Sequence, residues 1–200
     1  MKHSNHLFPI SSTQVRQGDL SFIPRSVIST MIKHELYLET ISASLVSEKR
    51  FEHVKSVTEL ALELGSAHQL DLHVIYVAAL FHDCAKEWSF KESEAWLNVV
   101  YPDYLNQKPE LWHQILGAMW VKRTLNIKDE RILKAISHHI QGDPYDAYSQ
   151  VIFIADKCDK TRGYDASNLV SLAMKDLKKG YEAVSQNQKA YLIQEGIISE

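Results

Sequence analysis

Two adjacent polar residues interrupt an otherwise apolar part of the chain. His82 and Asp83 follow directly after the apolar run 74–81. A run of this composition should be buried, and a buried imidazole and carboxylate are costly unless a partner compensates for their lost hydration. An ion pair, a hydrogen-bond network or a metal ion would each provide that compensation. The pair alone therefore leaves the chemistry open.

Four further residues share this setting, at the ends of apolar helical patterns or inside them. The full set, drawn from five predicted helices, is His53, His82, Asp83, His113, His139 and Asp156. Imidazoles and carboxylates suit Fe, Mn, Co or Zn, and helix bundles build metal sites from side chains on facing helices. A carboxylate can bridge two ions, and ions about 3.5–4 Å apart activate water against a phosphorus ester or anhydride. The set predicts a dinuclear hydrolytic site.

Structural roles are the alternative for each residue taken singly. A lone histidine on a helix face, such as His53 or His113, is more often a core or surface residue than a ligand. Helical phase favours His139 over His138, because His139 shares the apolar face of its helix. Structural or surface roles are expected for the histidines in the irregular front segment, at helix ends or on polar faces, namely His3, His6, His34, His68 and His73.

Two basic residues lie just past predicted ligand positions. Lys86 follows the His-Asp pair by three residues, and Arg162 follows Asp156 by six. They are either ordinary solvated cations or the countercharge that phosphate oxygens would require. Cys84 is adjacent to the pair, where we expect a buried, inert thiol rather than a soft metal ligand.

Composition restricts the class of protein. The 200 residues are 45% apolar and 24% charged, with 7 Gly and 5 Pro, as expected of one helix-rich globular core. A net charge of −3 and the lack of a Lys/Arg run give no reason to expect a nucleic-acid or membrane partner. No apolar run approaches the length that spans a bilayer. Two distant cysteines and no signal peptide predict a cytoplasmic protein.

Apolar residues recur at helical spacing along most of the chain, which predicts an all-α fold. Residues 1 to about 25 are polar and irregular. Gly65 is expected to end the first long helix, and Asp71 and Asp129 to cap two later ones. The run 151–155 is β-branched, but a lone strand would have no pairing partner, so we favour helix. The predicted helices cover residues 26–37, 51–65, 71–81, 91–100, 110–125, 129–139, 145–160, 166–184 and 186–200.

Together these residues resemble a known family in order and approximate spacing. Arg50-x-x-His53, His82-Asp83-x-x-Lys86 and Asp156 resemble the HD-domain metal-dependent phosphohydrolases. The resemblance is closest to the YqeK-type bacterial symmetrical diadenosine tetraphosphate hydrolases and extends from about Arg50 to Leu192. The stretches most similar to that branch are residues 80–86, 113–118, 135–142 and 154–156, with Arg162 beyond them.

The resemblance implies an all-α HD-domain helical bundle with a short N-terminal extension, which hydrolyses diadenosine tetraphosphate to two ADP. It implies a dinuclear centre, of iron or alternatively Mn, Co or Zn, whose six ligands are the set above and whose bridge is Asp83. Water activated by the ions would be the nucleophile. Asp83 and Lys86 would be catalytic, and Lys86 and Arg162 would bind the phosphates of the nucleotide. Arg50 would either bind phosphate as well or orient a metal ligand. A homodimer is left open.

Rival functions also remain open. Another HD phosphohydrolase would act on a nucleoside monophosphate, a cyclic nucleotide or a guanosine alarmone, and a regulatory module would bind nucleotide without turnover. Three departures from the branch pattern bear on this choice: Gln114, Ile140, and Asp159-Lys160-Thr161 in place of Glu-Pro-Gly. We expect these departures to affect substrate contacts more than metal ligands.

The front segment carries a second resemblance. The Ser-x-Thr-x-x-Arg pattern of residues 11–16, with residues 23–27 and 34–37, is similar to the C-terminal end of nicotinate mononucleotide adenylyltransferases. In that family the pattern helps to bind ATP phosphates, and the enzyme is sometimes fused ahead of a YqeK-like domain. We therefore interpret residues 1–38 as an adenylyltransferase remnant or linker, and residues 39–200 as the HD domain. The alternative is that this segment is merely rich in Ser and Thr and that its similarity to the adenylyltransferases is accidental.

Overall fold

The chain folds into helices joined by short turns, as the apolar spacing predicts. The computed structural model describes residues 11–16 and 18–194, and these residues contain eleven α-helices and no strand. The all-α prediction is confirmed. The helices are α1 (Ser12–Arg16), α2 (Arg25–Lys33), α3 (Leu38–Ser44), α4 (Glu48–Ala67), α5 (Leu72–Phe81), α6 (Phe90–Val100), α7 (Trp112–Thr124), α8 (Glu130–Ser137), α9 (Ala147–Cys158), α10 (Ser167–Lys175) and α11 (Leu177–Gln194).

Side-chain caps fix where several of these helices begin. The side chains of Ser47, Asp71, Ser89, Asp129 and Asp146 each accept a hydrogen bond from a backbone N–H two or three residues further along. Each cap satisfies a donor that the first helical turn leaves free, which stabilises the fold by about 1 kcal/mol. The two caps predicted from the sequence, Asp71 and Asp129, are confirmed.

The main core lies where α4, α5, α8 and α9 pack against one another. Leu64, Ile75, Phe81, Ile136 and Ile152 are fully buried there. Burying one such side chain contributes about 1.5–3 kcal/mol. Almost the whole of α5 is buried, so the residues that directly follow it also lie in the interior. A smaller apolar cluster, between α6 and α7, covers the turn after α5.

Residues on both sides of position 38 contribute to the main core. Ile28 and Met31 of α2 and Ile41 of α3 belong to the same buried cluster as the bundle. The division of the chain into residues 1–38 and 39–200 remains a prediction. His3 and His6 lie outside the described residues. None of the helices described is both long enough and apolar enough to cross a membrane.

Gly65 does not end α4, contrary to the sequence prediction. It lies two residues before the end of the helix, where α5 approaches closely: a Cβ at this position would be 3.0 Å from Ile75 Cγ1. Gln69 ends the helix instead, with a φ of 54°, and the N–H of Leu70 donates to the carbonyl of Gly65. This is a Schellman motif with a non-glycine residue in the left-handed position.

Two other helix boundaries differ from the prediction. α2 ends at Lys33 rather than residue 37, because Glu35 adopts a left-handed conformation with a φ of 55°. The helix predicted over 166–184 is two helices. Asp176 has extended backbone and its carboxylate accepts from the N–H of Lys179, which starts α11. α11 then continues through residue 185 to Gln194, and the rest of the predicted tail helix lies outside the described residues.

The remaining differences are small. α1 lies inside the segment predicted to be irregular, and short 3₁₀ turns over residues 102–106, 109–111 and 160–162 join the longer helices. The β-branched run 151–155 is helical, within α9, so the strand alternative is wrong.

Candidate metal centre

The ends of five helices meet at one place in the bundle and bring the six predicted ligands together. The six side chains are all buried, and they come from α4 (His53), the turn after α5 (His82, Asp83), the first turn of α7 (His113), the residues after α8 (His139) and the last turn of α9 (Asp156). They form two groups of three residues. Within each group, the ligating atoms all lie within 4.8 Å of one another.

The first group consists of His53, His82 and Asp156. Asp156 Oδ1 is 3.1 Å from His53 Nε2 and 3.8 Å from His82 Nε2. The second group consists of Asp83, His113 and His139. Asp83 Oδ1 is 3.3 Å from His113 Nε2 and 3.5 Å from His139 Nε2, and the two imidazole nitrogens are 3.2 Å apart.

Asp83 faces both groups. While its Oδ1 belongs to the second group, its Oδ2 lies 3.8 Å from His53 Nε2 and 3.7 Å from His82 Nε2 of the first. One carboxylate therefore lies between two sets of imidazoles with an oxygen toward each. This is the position that a bridging ligand of a dinuclear centre would occupy.

The spacing of these atoms fits metal ions. Ligand atoms about 2.0–2.2 Å from one ion lie about 3.0–3.5 Å from each other, and most separations within the two groups fall in or near that range. His82 Nε2 supplies a second test, because it is buried and has no hydrogen-bond partner among the described residues. A buried nitrogen without a partner is costly, and coordination to a metal would remove that cost.

Backbone carbonyls fix two of the imidazoles. His82 Nδ1 lies 2.7 Å from the carbonyl of Ala79, and His139 Nδ1 lies 2.7 Å from that of Ile136. Since a carbonyl only accepts, both Nδ1 atoms carry the hydrogen and both Nε2 atoms present a lone pair to the centre. In both histidines, Nδ1 donates to the backbone carbonyl of the residue three positions earlier, and many metal-binding histidines are oriented by a carbonyl in this way.

Asp159 and Thr161 hold His53, and sequence reasoning missed this role. His53 Nδ1 lies 3.2 Å from Asp159 Oδ2 and 3.2 Å from Thr161 Oγ1, and Thr161 donates to Asp159 at 2.5 Å. The expectation that these residues affect substrate contacts more than metal ligands stays a prediction, although Asp159 and Thr161 both contact a predicted ligand, His53. The signal available was a second aspartate one helical turn after Asp156.

The protonation of the site follows from burial and charge. Burial lowers the pKa of both His82 and His113 to about 4, which leaves them neutral. Burial would raise the pKa of Asp83 and Asp156, but the imidazoles around Asp83, and Lys157 and His53 beside Asp156, hold both pKa values well below normal. Neutral imidazoles and ionised carboxylates are the forms that bind metal.

Cationic side chains surround the carboxylates. Arg50 Nη1 is 3.1 Å from Asp83 Oδ2, and Lys86 Nζ is 3.4 Å from His113 Nε2. The Arg162 guanidinium contacts the carboxylate of Asp156, and its Nε donates to the carbonyl of Asp156 at 2.7 Å. Lys157, which sequence reasoning did not single out, is 2.6 Å from Asp156 Oδ2.

A cavity of about 430 Å³ opens beside these cations. Its lining includes His53 of the first ligand group and two of the three predicted phosphate-binding residues, Arg50 and Arg162. We call it the entrance cavity. Its lining has three cations, Lys49, Arg50 and Arg162, against two anions, Glu52 and Glu87, so the cavity would attract phosphate.

The other residues considered for the site lie elsewhere. His138 bonds to Ser137 and to the carbonyl of Lys134, and it belongs to neither ligand group. Cys84 is a buried free thiol, and burial raises its pKa, as expected of an inert thiol. Gln114 is buried beside His113, and its Oε1 has no partner among the described residues.

Comparison with known proteins gives a family and several relatives. A family model for the HD domain matches residues 50–161. A symmetrical bis(5'-nucleosyl)-tetraphosphatase from Bacillus subtilis is 31% identical over 155 residues, covering 74% of this chain and 82% of that protein. A probable nicotinate-nucleotide adenylyltransferase/Ap4A hydrolase from Mycoplasma pneumoniae is 31% identical over 169 residues, covering 80% of this chain and 48% of that protein.

The chain spans about half the length of the Mycoplasma relatives that it matches. Among solved structures, a predicted HD superfamily hydrolase involved in NAD metabolism from Clostridium acetobutylicum superposes with a TM-score of 0.68 at 24% identity. The superposition covers 86% of this chain and 89% of that one. At this identity the likeness establishes the fold.

Proposed function

Because the chain belongs to the HD domain family, we propose that it is a metal-dependent phosphohydrolase that cleaves diadenosine tetraphosphate symmetrically into two ADP. The observation that carries the proposal is the position of Asp83, with one carboxylate oxygen toward each of two histidine-containing ligand groups. Relatives named for symmetrical cleavage of bis-nucleosyl tetraphosphates, at 31% identity, support the choice of substrate.

We assign the two ligand groups as the two halves of a dinuclear centre. His53, His82 and Asp156 would hold one ion, His113 and His139 the other, and Asp83 both. Bound there, the ions would lower the pKa of water and act as Lewis acids on a phosphoryl oxygen. The nitrogen and oxygen ligand set suits iron, which we propose as the resident metal, with Mn, Co or Zn as alternatives.

The chain's own cations would position the phosphate chain. Arg50 and Arg162 line the entrance cavity, and the guanidinium of each can bind phosphate oxygens in a bidentate manner. Lys86 Nζ, near His113, would offset the charge that develops on the central phosphates. In the reaction a water oxygen bonds to one central phosphorus, the central P–O–P bridge breaks, and each half leaves as ADP.

The test combines metal analysis with product identification. The purified chain is loaded anaerobically with Fe(II), or with Mn(II) or Co(II), its metal content is measured, and products from diadenosine tetraphosphate are separated by chromatography. We expect about two ions per chain and ADP as the only nucleotide product. ATP with AMP would contradict symmetrical cleavage, and absence of both metal and turnover would contradict the proposal as a whole.

Asp83→Asn is the decisive variant, because it keeps the shape of the side chain and removes the charge that would bridge the ions. We expect it to lose metal and to reduce turnover by at least about 100-fold, in line with the loss of a group that acts on the transition state. Asp103→Asn, at an exposed position outside the six-residue ligand set, is the matched control and should behave as the unaltered chain.

Two wider proposals concern the location of the protein and the origin of its front segment. Cys84 and Cys158 are free thiols, which supports a reducing, cytoplasmic location. Similarity to the Mycoplasma relatives supports a link between residues 1–38 and an adenylyltransferase, and the genomic sequence upstream of this chain would test it.

A further inference from the structure

A second cavity, of about 470 Å³, adjoins the metal centre on the side of α11. We call it the α11 cavity, and its lining consists of Lys157, Arg162, Tyr164, Val184, Asn187, Gln188 and Tyr191. Its size falls in the range of about 300–1,000 Å³ that small-molecule sites occupy. Its lining also has the character of such sites, with aromatic surface and a few polar groups.

One end of this cavity touches the metal centre. Lys157 Nζ and the Arg162 guanidinium both contact the carboxylate of Asp156, a member of the first ligand group. Arg162 also lines the entrance cavity. A ligand with its phosphates among the cations at Asp156 would therefore have its remaining part beside or inside the α11 cavity.

Two tyrosines supply the aromatic surface of the cavity. Tyr164 and Tyr191 are 48% and 56% exposed, so much of each ring is open to a ligand. The Tyr164 hydroxyl donates to the carbonyl of Lys157 at 2.5 Å, which fixes this ring relative to the cationic end. Planar bases stack on such rings, since every base has a π face.

Two adjacent amides of α11 supply the polar groups. Gln188 lines the cavity and its Oε1 has no hydrogen-bond partner among the described residues, so turning the side-chain amide toward a ligand would break no contact of this oxygen. An amide offers an acceptor and a donor side by side, which matches the exocyclic amine and N7 of adenine. Guanine and hypoxanthine carry an oxygen at the corresponding position and would leave the Gln188 oxygen without a donor.

We infer that the α11 cavity binds the base of one substrate nucleotide, with the ring against Tyr191 and with Gln188 favouring adenine. Lys157 and Arg162 would then bind the phosphates of the same nucleotide and direct them to the metal centre. This inference rests on the proposed function and adds the element that selects the base. It assigns specificity to α11, whose residues lie outside the six-residue ligand set.

Base selection is tested with two substrates that differ at one position of the base. The metal-loaded chain should hydrolyse diadenosine tetraphosphate with a kcat/KM about tenfold or more above that for diinosine tetraphosphate, as a bidentate amide contact predicts. Gln188→Leu should reduce this ratio to near one. Gln186→Leu, exposed on the same helix and outside the cavity, is the control and should keep the ratio. An unchanged ratio in Gln188→Leu would overturn the inference.

Stacking is tested at Tyr191. Tyr191→Ala should raise KM for diadenosine tetraphosphate by about tenfold, in the range expected for loss of one base–aromatic stack, and should change kcat less. Tyr191→Phe keeps the ring and should raise KM by a smaller factor. Equal effects of the two substitutions would show that the ring is not used, and circular dichroism verifies that both variants fold.

Calorimetric titration with ADP separates failure of this inference from failure of the proposed function. A chain that cleaves diadenosine tetraphosphate, but whose ADP affinity and substrate ratio are the same in Gln188→Leu and Tyr191→Ala, would retain the proposed function and lose the α11 site. A chain that cleaves no dinucleoside polyphosphate, yet binds ADP about tenfold more weakly in both variants, would lose the proposed activity and keep the site.

Discussion

Arg50 Nη1 lies 3.1 Å from Asp83 Oδ2, so the residue between the two ligand groups is also paired with a cation. Sequence reasoning favoured metal bridging by Asp83 over pairing with a cation. Asp83 Oδ1 faces His113 and His139, while Oδ2 faces both Arg50 and the first group, so the pairing with Arg50 is compatible with a bridging position. Arg50 therefore both orients the carboxylate and extends toward the entrance cavity.

Replacing Arg50 should affect metal binding as well as substrate binding. Arg50→Ala removes the partner that holds Asp83, and loss of such a supporting contact weakens metal affinity or activity by about 10–100-fold. We expect a lower metal content at limiting metal and a higher KM for diadenosine tetraphosphate. Lys49→Ala, also in the entrance cavity but without a contact to Asp83, is the control. A rise in KM with unchanged metal affinity would assign Arg50 to phosphate binding alone.

Two neighbouring histidines provide a matched pair for the second ligand group. His139 Nε2 faces Asp83 and His113, whereas His138 bonds to Ser137 and a backbone carbonyl. We expect His139→Ala to lower the metal content by about one ion of the two that a dinuclear centre holds, and His138→Ala to leave it unchanged. Elemental analysis of both variants after identical loading measures the difference. Equal metal content in the two would contradict the assignment of His139.

Removing the metal should destabilise the chain. A ligand present at about 100 times its Kd adds about 2.7 kcal/mol to the free energy of unfolding. For a domain of this size that corresponds to a fall in Tm of about 5–10 °C when a chelator removes the ions. Thermal unfolding with and without chelator measures it. In Asp83→Asn the same chelator should have little effect, and an equal effect there would point to chelation elsewhere in the chain.

The residues of the ligand groups could be selected from the sequence because each one breaks an apolar helical pattern. Such a pattern predicts which positions are buried. Burying a His or Asp without a compensating partner is costly, so six such residues at buried positions indicate a shared site. How the ligands divide into two groups could not be predicted from the sequence, since it depends on how α4, α5, α7, α8 and α9 pack. That each carboxylate oxygen of Asp83 faces a different ligand group could be established only from the three-dimensional structure.

Helix boundaries were harder to predict where the backbone departs from common residue preferences. Gly65 appeared to be a terminator, but it serves close packing of α5, and Gln69 takes the left-handed position that glycine more often fills. The break at Asp176 follows from its own capping hydrogen bond and from the contact between Gly180 and Ala173 across α10 and α11. Local backbone conformation or capping acts together with packing between helices at both boundaries.

Asp159 illustrates a residue at the candidate metal centre that spacing alone did not reveal. Its carboxylate is fully buried and lies 3.2 Å from His53 Nδ1, on the side of the ring away from the ligand group. Contacts with His53 and Thr161 outweigh burial and lower its pKa to about 2, so it stays ionised at neutral pH. An ionised carboxylate behind a ligand histidine fixes the ring and strengthens the ligand.

Asp159→Asn should therefore weaken metal binding by about 10–100-fold, because the amide keeps the hydrogen-bonding shape but not the charge behind His53. Competition with a chelator of known affinity measures the change without reference to activity. Asp165→Asn, an exposed carboxylate a few residues further along, should leave the metal affinity as it is. If Asp159→Asn lowers the unfolding temperature but not the metal affinity, Asp159 supports the turn after α9 rather than the metal centre.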